Sequence, residues 1–297
     1  MAEGRTQPLA ATPLRSPRPI QRPDRGGPRP DAVTHESMFP MKDLEDDALN
    51  KVPALTLGFW IIKIIATTLG EVGGNALSQT MGLGYLASTA IFGALLIVTV
   101  IAQIRSRRFH PFLYWTVIAA TTLAGTTMAD LFDRSFGIGY LGGSLGLFFL
   151  VIATLALWYR STGSVAIDTV STPKVESFYW ATIMFSQTLG TALGDWMADS
   201  TPLGYNDSAF LIAVVLAIIA ALYFFTEVSR TSLFWAAFIL TRPLGATLAN
   251  SLDKPAASGG LGISDVTLTA AFALLMIIGL LVIPQRAGSH APASRAF

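Results

Sequence analysis

The chain has 297 residues and a formal net charge of +1, with 52% hydrophobic residues, only 13% charged residues and a mean hydropathy of +0.54. That balance departs from a soluble globular composition toward a membrane one, and it gives no basic footprint for a nucleic-acid partner. Cysteine is absent and His35, His110 and His290 all lie outside the apolar stretches, which excludes haem ligation, thiolate metal sites and intramembrane imidazole relays; no cofactor is expected.

Residues 1–50 hold eight prolines and six arginines, no hydrophobic run, and then the acidic patch Glu45-Asp46-Asp47. Such a segment cannot bury enough apolar surface to fold, so a disordered cytoplasmic tail is expected, dispensable rather than a tether for anionic lipid. It lacks the apolar core of a secretory signal, which makes the first span the expected targeting element. Met38 and Met41 lie just before the repeats as candidate starts.

From residue 51 the chain becomes a four-fold repeat. Trp60, Trp115, Trp180 and Trp235 are each followed ten residues later by Gly70, Gly125, Gly190 and Gly245. Fifteen residues after each Trp stands Asn75, Asp130, Asp195 or Asn250, preceded by a small residue, Gly74, Ala129, Gly194 or Ala249. Three copies continue in register to Leu83-Gly84-Tyr85, Ile138-Gly139-Tyr140 and Leu203-Gly204-Tyr205, while the fourth gives Leu261-Gly262-Ile263 after a three-residue insertion. Each unit is then one supersecondary element of an array. The boundaries fall near 51–106, 107–162, 173–229 and 230–286, and 287–297 is a short cytoplasmic tail.

Each unit contains two stretches of spanning length. Leu83 to Ile104, Ile138 to Tyr159, Ser208 to Thr226 and Val266 to Pro284 contain no Lys, Arg, Asp or Glu. The stretches Val52–Ala76, Phe112–Ala129, Phe178–Leu193 and Leu233–Leu252 carry the Trp-led motifs. The expected fold is therefore an all-α membrane protein of eight transmembrane helices, arranged as four parallel two-helix repeats. Of the 20 Lys and Arg, 16 fall in the tails and in the turns after the second, fourth and sixth spans, so both termini are expected in the cytoplasm.

Positions 3, 7, 11, 14 and 15 after each Trp share one helical face. They read Lys63, Thr67, Glu71, Gly74, Asn75; then Ile118, Thr122, Thr126, Ala129, Asp130; then Ile183, Gln187, Thr191, Gly194, Asp195; and last Phe238, Arg242, Ala246, Ala249, Asn250. Nearly all the polarity of these spans lies on that stripe, which predicts an inner ring of polar-faced helices and an outer ring of apolar ones. Gly70 with Gly74, Gly125 with Ala129, Gly190 with Gly194 and Gly245 with Ala249 supply the small surfaces for close packing. The Trp residues read as interfacial anchors.

A charge at mid-membrane costs about 2.5 to 3.5 kcal/mol, so depth ranks the candidates. Lys63, about 4.5 Å below Trp60, is expected to snorkel to the surface, whereas Glu71 is about 16 Å down and Arg242 about 10 Å down in its own repeat. These two are expected to pair, and Pro243 to bend the helix beside them. Asp130 and Asp195, about 22 Å from their Trp, read either as site residues or as loop-entry charges. The run Gly137-Ile-Gly139-Tyr-Leu-Gly142 matches a dinucleotide fingerprint but follows no strand, and is set aside.

The phrases Lys51-Val52-Pro53, Phe59-Trp60-Ile61-Ile62-Lys63, Thr68-Leu69-Gly70-Glu71, Thr188-Leu189-Gly190-Thr191-Ala192-Leu193-Gly194-Asp195 and Thr241-Arg242-Pro243-Leu244-Gly245-Ala246-Thr247 resemble a group of bacterial membrane proteins. That group is built from four tandem copies of a two-span repeat of unknown function, each with a characteristic Trp. The likeness covers about residues 51 to 284. It implies this architecture and a bacterial inner-membrane setting. The family pattern favours Asp at the fifteenth position, where this chain has Asn75 and Asn250.

Two functions follow as expectations. One is a small transporter or exporter of an ion, a divalent metal or a proton-coupled species, with Glu71, Asp130, Asp195 and Arg242 as charged elements and Thr67, Thr122, Thr126, Gln187, Thr191, Asn75 and Asn250 as neutral ligands. Hard oxygen donors suit such a cation, although Arg242 suits an anion. The other is a non-transporting scaffold or anchor whose stripe only joins helices. An enzyme is not expected, because no nucleophile–base pair is visible.

Overall fold

The computed structural model describes residues 50–288, so the expected tails at 1–49 and 289–297 lie outside the described residues. Eight α-helices account for most of it: α1 (Leu57–Asn75), α2 (Gly84–Arg105), α3 (Pro111–Asp130), α4 (Tyr140–Thr162), α5 (Pro173–Asp199), α6 (Gly204–Phe225), α7 (Arg230–Asp253) and α8 (Asp265–Val282). Among the described residues there is no strand, only an isolated antiparallel bridge between Pro53 and Ala287. That bridge holds the segment before α1 beside the segment after α8, with Ala54 donating to Arg286 O at 2.9 Å and Gly288 donating to Val52 O at 2.8 Å.

Local chemistry sets the helix ends. Thr56, Thr172 and Ser229 each accept a backbone N–H of the first turn of α1, α5 and α7, which fills one of the orphan donors there. Pro111 and Pro173 occupy first-turn positions where no N–H is needed. Both α1 and α3 run on into a single wider turn, Ala76–Thr80 and Leu131–Ser135. The glycine of each Leu/Ile-Gly motif, Gly84, Gly139, Gly204 and Gly262, has φ between +65° and +77°, a conformation that a side chain would strain. Gly137 and Gly139 thus serve a reversal before α4 and not a nucleotide. The helix α7 continues through Pro243, and Thr247 Oγ1 donates back to Pro243 O at 2.9 Å.

Burial separates the helices into two kinds. Most of the apolar length of α1, α3 and α7 is buried, whereas α2, α4, α6 and α8 leave most of theirs exposed. Exposed faces of the second group carry Ile97, Val98, Phe149, Phe210, Phe224 and Leu281, surface that water would not tolerate in such amounts. Seven helices are long and apolar enough to cross a membrane, the make-up of a multi-pass membrane protein. The eighth, α5, has 27 residues but is diluted by Lys174, Glu176, Gln187, Asp195 and Asp199, so the expected eight spans appear as eight helices, of which seven are apolar enough to cross a membrane by length and composition.

The packing order is regular. α1 lies against α3 and α7, and α5 lies against α3 and α7 as well. The apolar helices follow a hand-over: α2 packs on α3, α4 on α5, α6 on α7, and α8 on α1. Each apolar helix therefore leans chiefly on the polar-striped helix of the following repeat, the last returning to the first.

Glycines set the close contacts. A Cβ on Gly70 would strike Thr122, one on Gly125 would lie 3.1 Å from Gln187, one on Gly190 would strike Arg242, and one on Gly245 would strike Thr67. The tenth residue of each repeat thus faces the seventh residue of the next, and the fourth repeat faces the first. Small residues at these points let the backbones approach.

At the Trp end of the helices an aromatic cluster fills the core. Trp115 is fully buried, Trp180 and Trp235 are 4% exposed, and only Trp60 is partly open. The reading of these residues as interfacial anchors is therefore corrected for three of the four. Trp115 Nε1 donates to Gln285 Oε1 and Trp235 Nε1 to Val165 O, each at 3.0 Å, and Tyr114 and Tyr179 join hydroxyls at 2.7 Å. Below them Lys51 pairs with Glu176 at 2.5 Å and also donates to Ile104 O, tying the start of α1 to α5 and α2. An apolar groove of about 580 Å³ separates α1 from α6 above α7, lined by Trp60, Ile64, Leu216, Phe224 and Phe234.

Candidate functional site

The four polar stripes meet between α1, α3, α5 and α7, and their residues can be taken level by level from the Trp end. At the third position Lys63 is fully buried. Its Nζ has no hydrogen-bond partner and sits 4.2 Å from the centroid of the Phe238 ring. The expected snorkelling does not occur, because the aromatic cluster closes the route outward and the cation is held on the ring face instead.

At the seventh position Thr67, Thr122, Gln187 and Arg242 are all fully buried. Two of them join helices: Thr67 Oγ1 donates to Thr241 O across to α7, and Thr122 Oγ1 donates to Ala66 O across to α1, each at 3.2 Å. Gln187 is different. Both polar atoms of its amide lack a partner.

Arg242 reaches up to the eleventh position and is the hub of the interior. Its Nη2 lies 2.8 Å from Glu71 Oε2, 2.6 Å from Thr126 Oγ1 and 2.6 Å from Thr191 Oγ1. One nitrogen with two hydrogens thus serves three acceptors on α1, α3 and α5, so a residue of α7 touches all three other polar helices. Nε and Nη1 of the same guanidinium have no partner. Thr126 Oγ1 in turn donates to Gly70 O at 3.0 Å.

The fifteenth-position residues Asn75, Asp130, Asp195 and Asn250 are each 2% exposed. The structure brings three of them together through Arg134, which is not among the residues singled out from the sequence. Arg134, in the wide turn after α3, places Nε 2.8 Å from Asp130 Oδ1 and Nη2 3.3 Å from Asp195 Oδ2. Asn250 Nδ2 donates to Asp195 Oδ1 at 3.3 Å, and its own Oδ1 has no donor. Asn75 stands apart, its Oδ1 accepting from Gln79 Nε2 at 2.7 Å. A signal for Arg134 was present: position 19 after each Trp reads Gln79, Arg134, Asp199 and Lys254, one helical turn above the Asx position. Just outside α7, burial lowers the pKa of Lys254, but the carboxylates of Asp253, Glu71 and Asp195 outweigh it and raise the value.

Among the described residues no group of three or more His, Asp or Glu side chains is placed to hold a metal ion. The carboxylates are instead spread along the axis, Glu71 with Arg242 and Asp130 with Asp195 around Arg134.

Fold and site together define an all-helical repeat protein of multi-pass make-up whose charged residues are gathered between four helices. The repeat of unknown function DUF347 matches four times, at residues 58–109, 113–164, 178–229 and 233–287, each match spanning two helices. The chain belongs to the DUF347 repeat family. No curated protein and no solved structure matches it.

Proposed function

We propose that the protein is a multi-pass transporter of the bacterial inner membrane that carries a small ion through the space between its four polar helices. In this reading α1, α3, α5 and α7 form an inner ring, the apolar helices form an outer ring against lipid, and the four two-helix repeats run parallel with both termini cytoplasmic. The helix contacts, the contrast in burial and the Lys/Arg bias of the loops support that arrangement.

The observation that carries the reading is the file of buried polar atoms without partners: Lys63 Nζ, both ends of the Gln187 amide, Arg242 Nε and Nη1, and Asn250 Oδ1. Each unsatisfied buried group costs about 1–3 kcal/mol, and a stripe serving only to join helices has no reason to keep several. Water or a passing ion satisfies them. Arg242 with Glu71, Thr126 and Thr191 then acts as a plug midway, and opening requires its bonds to be exchanged.

Purified protein in proteoliposomes tests the reading by flux of Mn²⁺, Mg²⁺ and protons. Wild type moves at least one of them and Glu71→Gln slows it without loss of the folded state. Wild-type-like flux in Glu71→Gln removes Glu71 from the path. No flux of any ion, together with no labelling of a cysteine at Thr191 by an aqueous thiol reagent, favours the scaffold.

A further inference from the structure

Asp130 and Asp195, two of the buried carboxylates at the outer end, share one cation, and that cation is a side chain. We propose that Asp130, Asp195 and Asn250 form a binding site for a divalent cation and that Arg134 is its tethered competitor, seated in the site in the present state. This deepens the transport reading by naming a substrate class and a gate.

Three observations converge. First, the donors come from three repeats and are almost fully buried, yet incompletely used. Asp130 Oδ1 touches Arg134 Nε without an aligned hydrogen bond, and Asn250, 2% exposed, spends its amide nitrogen on Asp195 and leaves Oδ1 without a donor. Second, the charge does not close. Asp130 and Asp195 bring two negative charges, and Arg134 returns one. A bridge serving only stability would leave neither a surplus charge nor orphan oxygens. Carboxylate and amide oxygens with two net charges suit a hard divalent ion.

Third, Arg134 alone among its equivalents bridges the fifteenth-position carboxylates of two repeats. Gln79 folds back on Asn75, Lys254 pairs with the adjacent Asp253, and Asp199 accepts from Tyr205 at 2.7 Å. Arg134 remains 32% exposed while the carboxylates it holds are 2–3% exposed, so it enters from the mouth. A place for it to go is at hand. Its guanidinium lies 5.6 Å from the centre of the Tyr140 ring, and Tyr140 hydroxyl donates to Asp199 at 3.4 Å. Withdrawal toward Tyr140 and Asp199 would vacate the carboxylates without leaving the arginine unpaired.

Mn²⁺ is the probe. Its binding to purified protein in nanodiscs is followed by electron paramagnetic resonance for wild type, Arg134→Gln, Arg134→Lys and the double variant Arg134→Gln/Asp195→Asn. A tethered ligand acts at an effective concentration of about millimolar, so removing it tightens Mn²⁺ binding by about tenfold or more. Arg134→Lys stays near wild type, and the double variant loses the gain. Binding in Arg134→Gln no tighter than in wild type overturns the proposal, as does Arg134→Lys matching Arg134→Gln. A second measurement needs no variant: millimolar Mn²⁺ increases modification of Arg134 by phenylglyoxal in wild-type protein, read by peptide mass. Unchanged modification overturns the displacement. Mn²⁺ binding without flux of any ion keeps this site and sinks transport, whereas flux with no response of Arg134 to Mn²⁺ does the reverse.

Discussion

Exchange of the Arg242–Glu71 pair for apolar side chains separates a wired interior from a set of independent contacts. Among the described residues, Glu71→Leu leaves the guanidinium Thr126 and Thr191 but removes its one carboxylate partner, and Arg242→Met removes the one side chain that donates to Glu71. Each single change leaves an uncompensated charge away from water and costs about 3–5 kcal/mol. The double variant leaves neither charge. Its two threonines are not orphaned, because the Thr126 hydroxyl still has Gly70 O or Thr122 O as acceptor, and the Thr191 hydroxyl has Gln187 O. The double variant should therefore lie within about 2 kcal/mol of wild type and above both singles, a coupling of at least about 4 kcal/mol. Equilibrium unfolding in mixed micelles, followed by circular dichroism, measures all four proteins. A double variant whose loss equals the sum of the two singles would refute the claim that the charges exist for one another.

Three further outcomes follow from the packing. Gly70→Ala and Gly245→Ala place a Cβ against the backbone of Thr122 and Thr67, which should cost about 1–3 kcal/mol by the same unfolding assay, while Gly93→Ala in the open face of α2 should gain about 0.5–1 kcal/mol. Gly139→Ala, at φ +76°, should lose about 1–2 kcal/mol; Gly146→Ala, with open space around it and no positive φ, is the control and should not. Lys63→Met removes a buried ammonium without a hydrogen-bond partner, so stability should rise by about 1–3 kcal/mol even where flux falls; a loss of stability would mean that the ammonium is satisfied after all.

Much of the fold can be read from spacing alone. The period from Trp to Gly to Asx reports helices of one length, and the Leu/Ile-Gly turn reports a reversal that only glycine makes comfortably. The stripe also places Glu71 one helical turn deeper than Arg242, a step the long guanidinium side chain can span, and opposite charges in such a setting find each other. What spacing does not carry is which neighbour each helix meets. The short distance of Lys63 from Trp60 along one helix points to the surface, but its fate is set by Phe238 on another. The Trp residues look like anchors in a single span and become core once Tyr114, Tyr179 and Phe59 close round them. Arg134 lies beyond the repeated stripe, and only the wide helical turn after α3 carries it back over Asp130.

The hand-over of apolar helices gives the chain an order of events. α1 carries Lys63 and Glu71, yet Phe238 and Arg242, which accommodate them, lie in α7, and its apolar cover is α8. During synthesis the first helix is thus the least comfortable and the last to be completed. Its two charges wait through most of the chain for their counterparts. Truncation before α7 would strand them, and a cell that inspects exposed intramembrane charge would read in α1 whether the whole protein has been made.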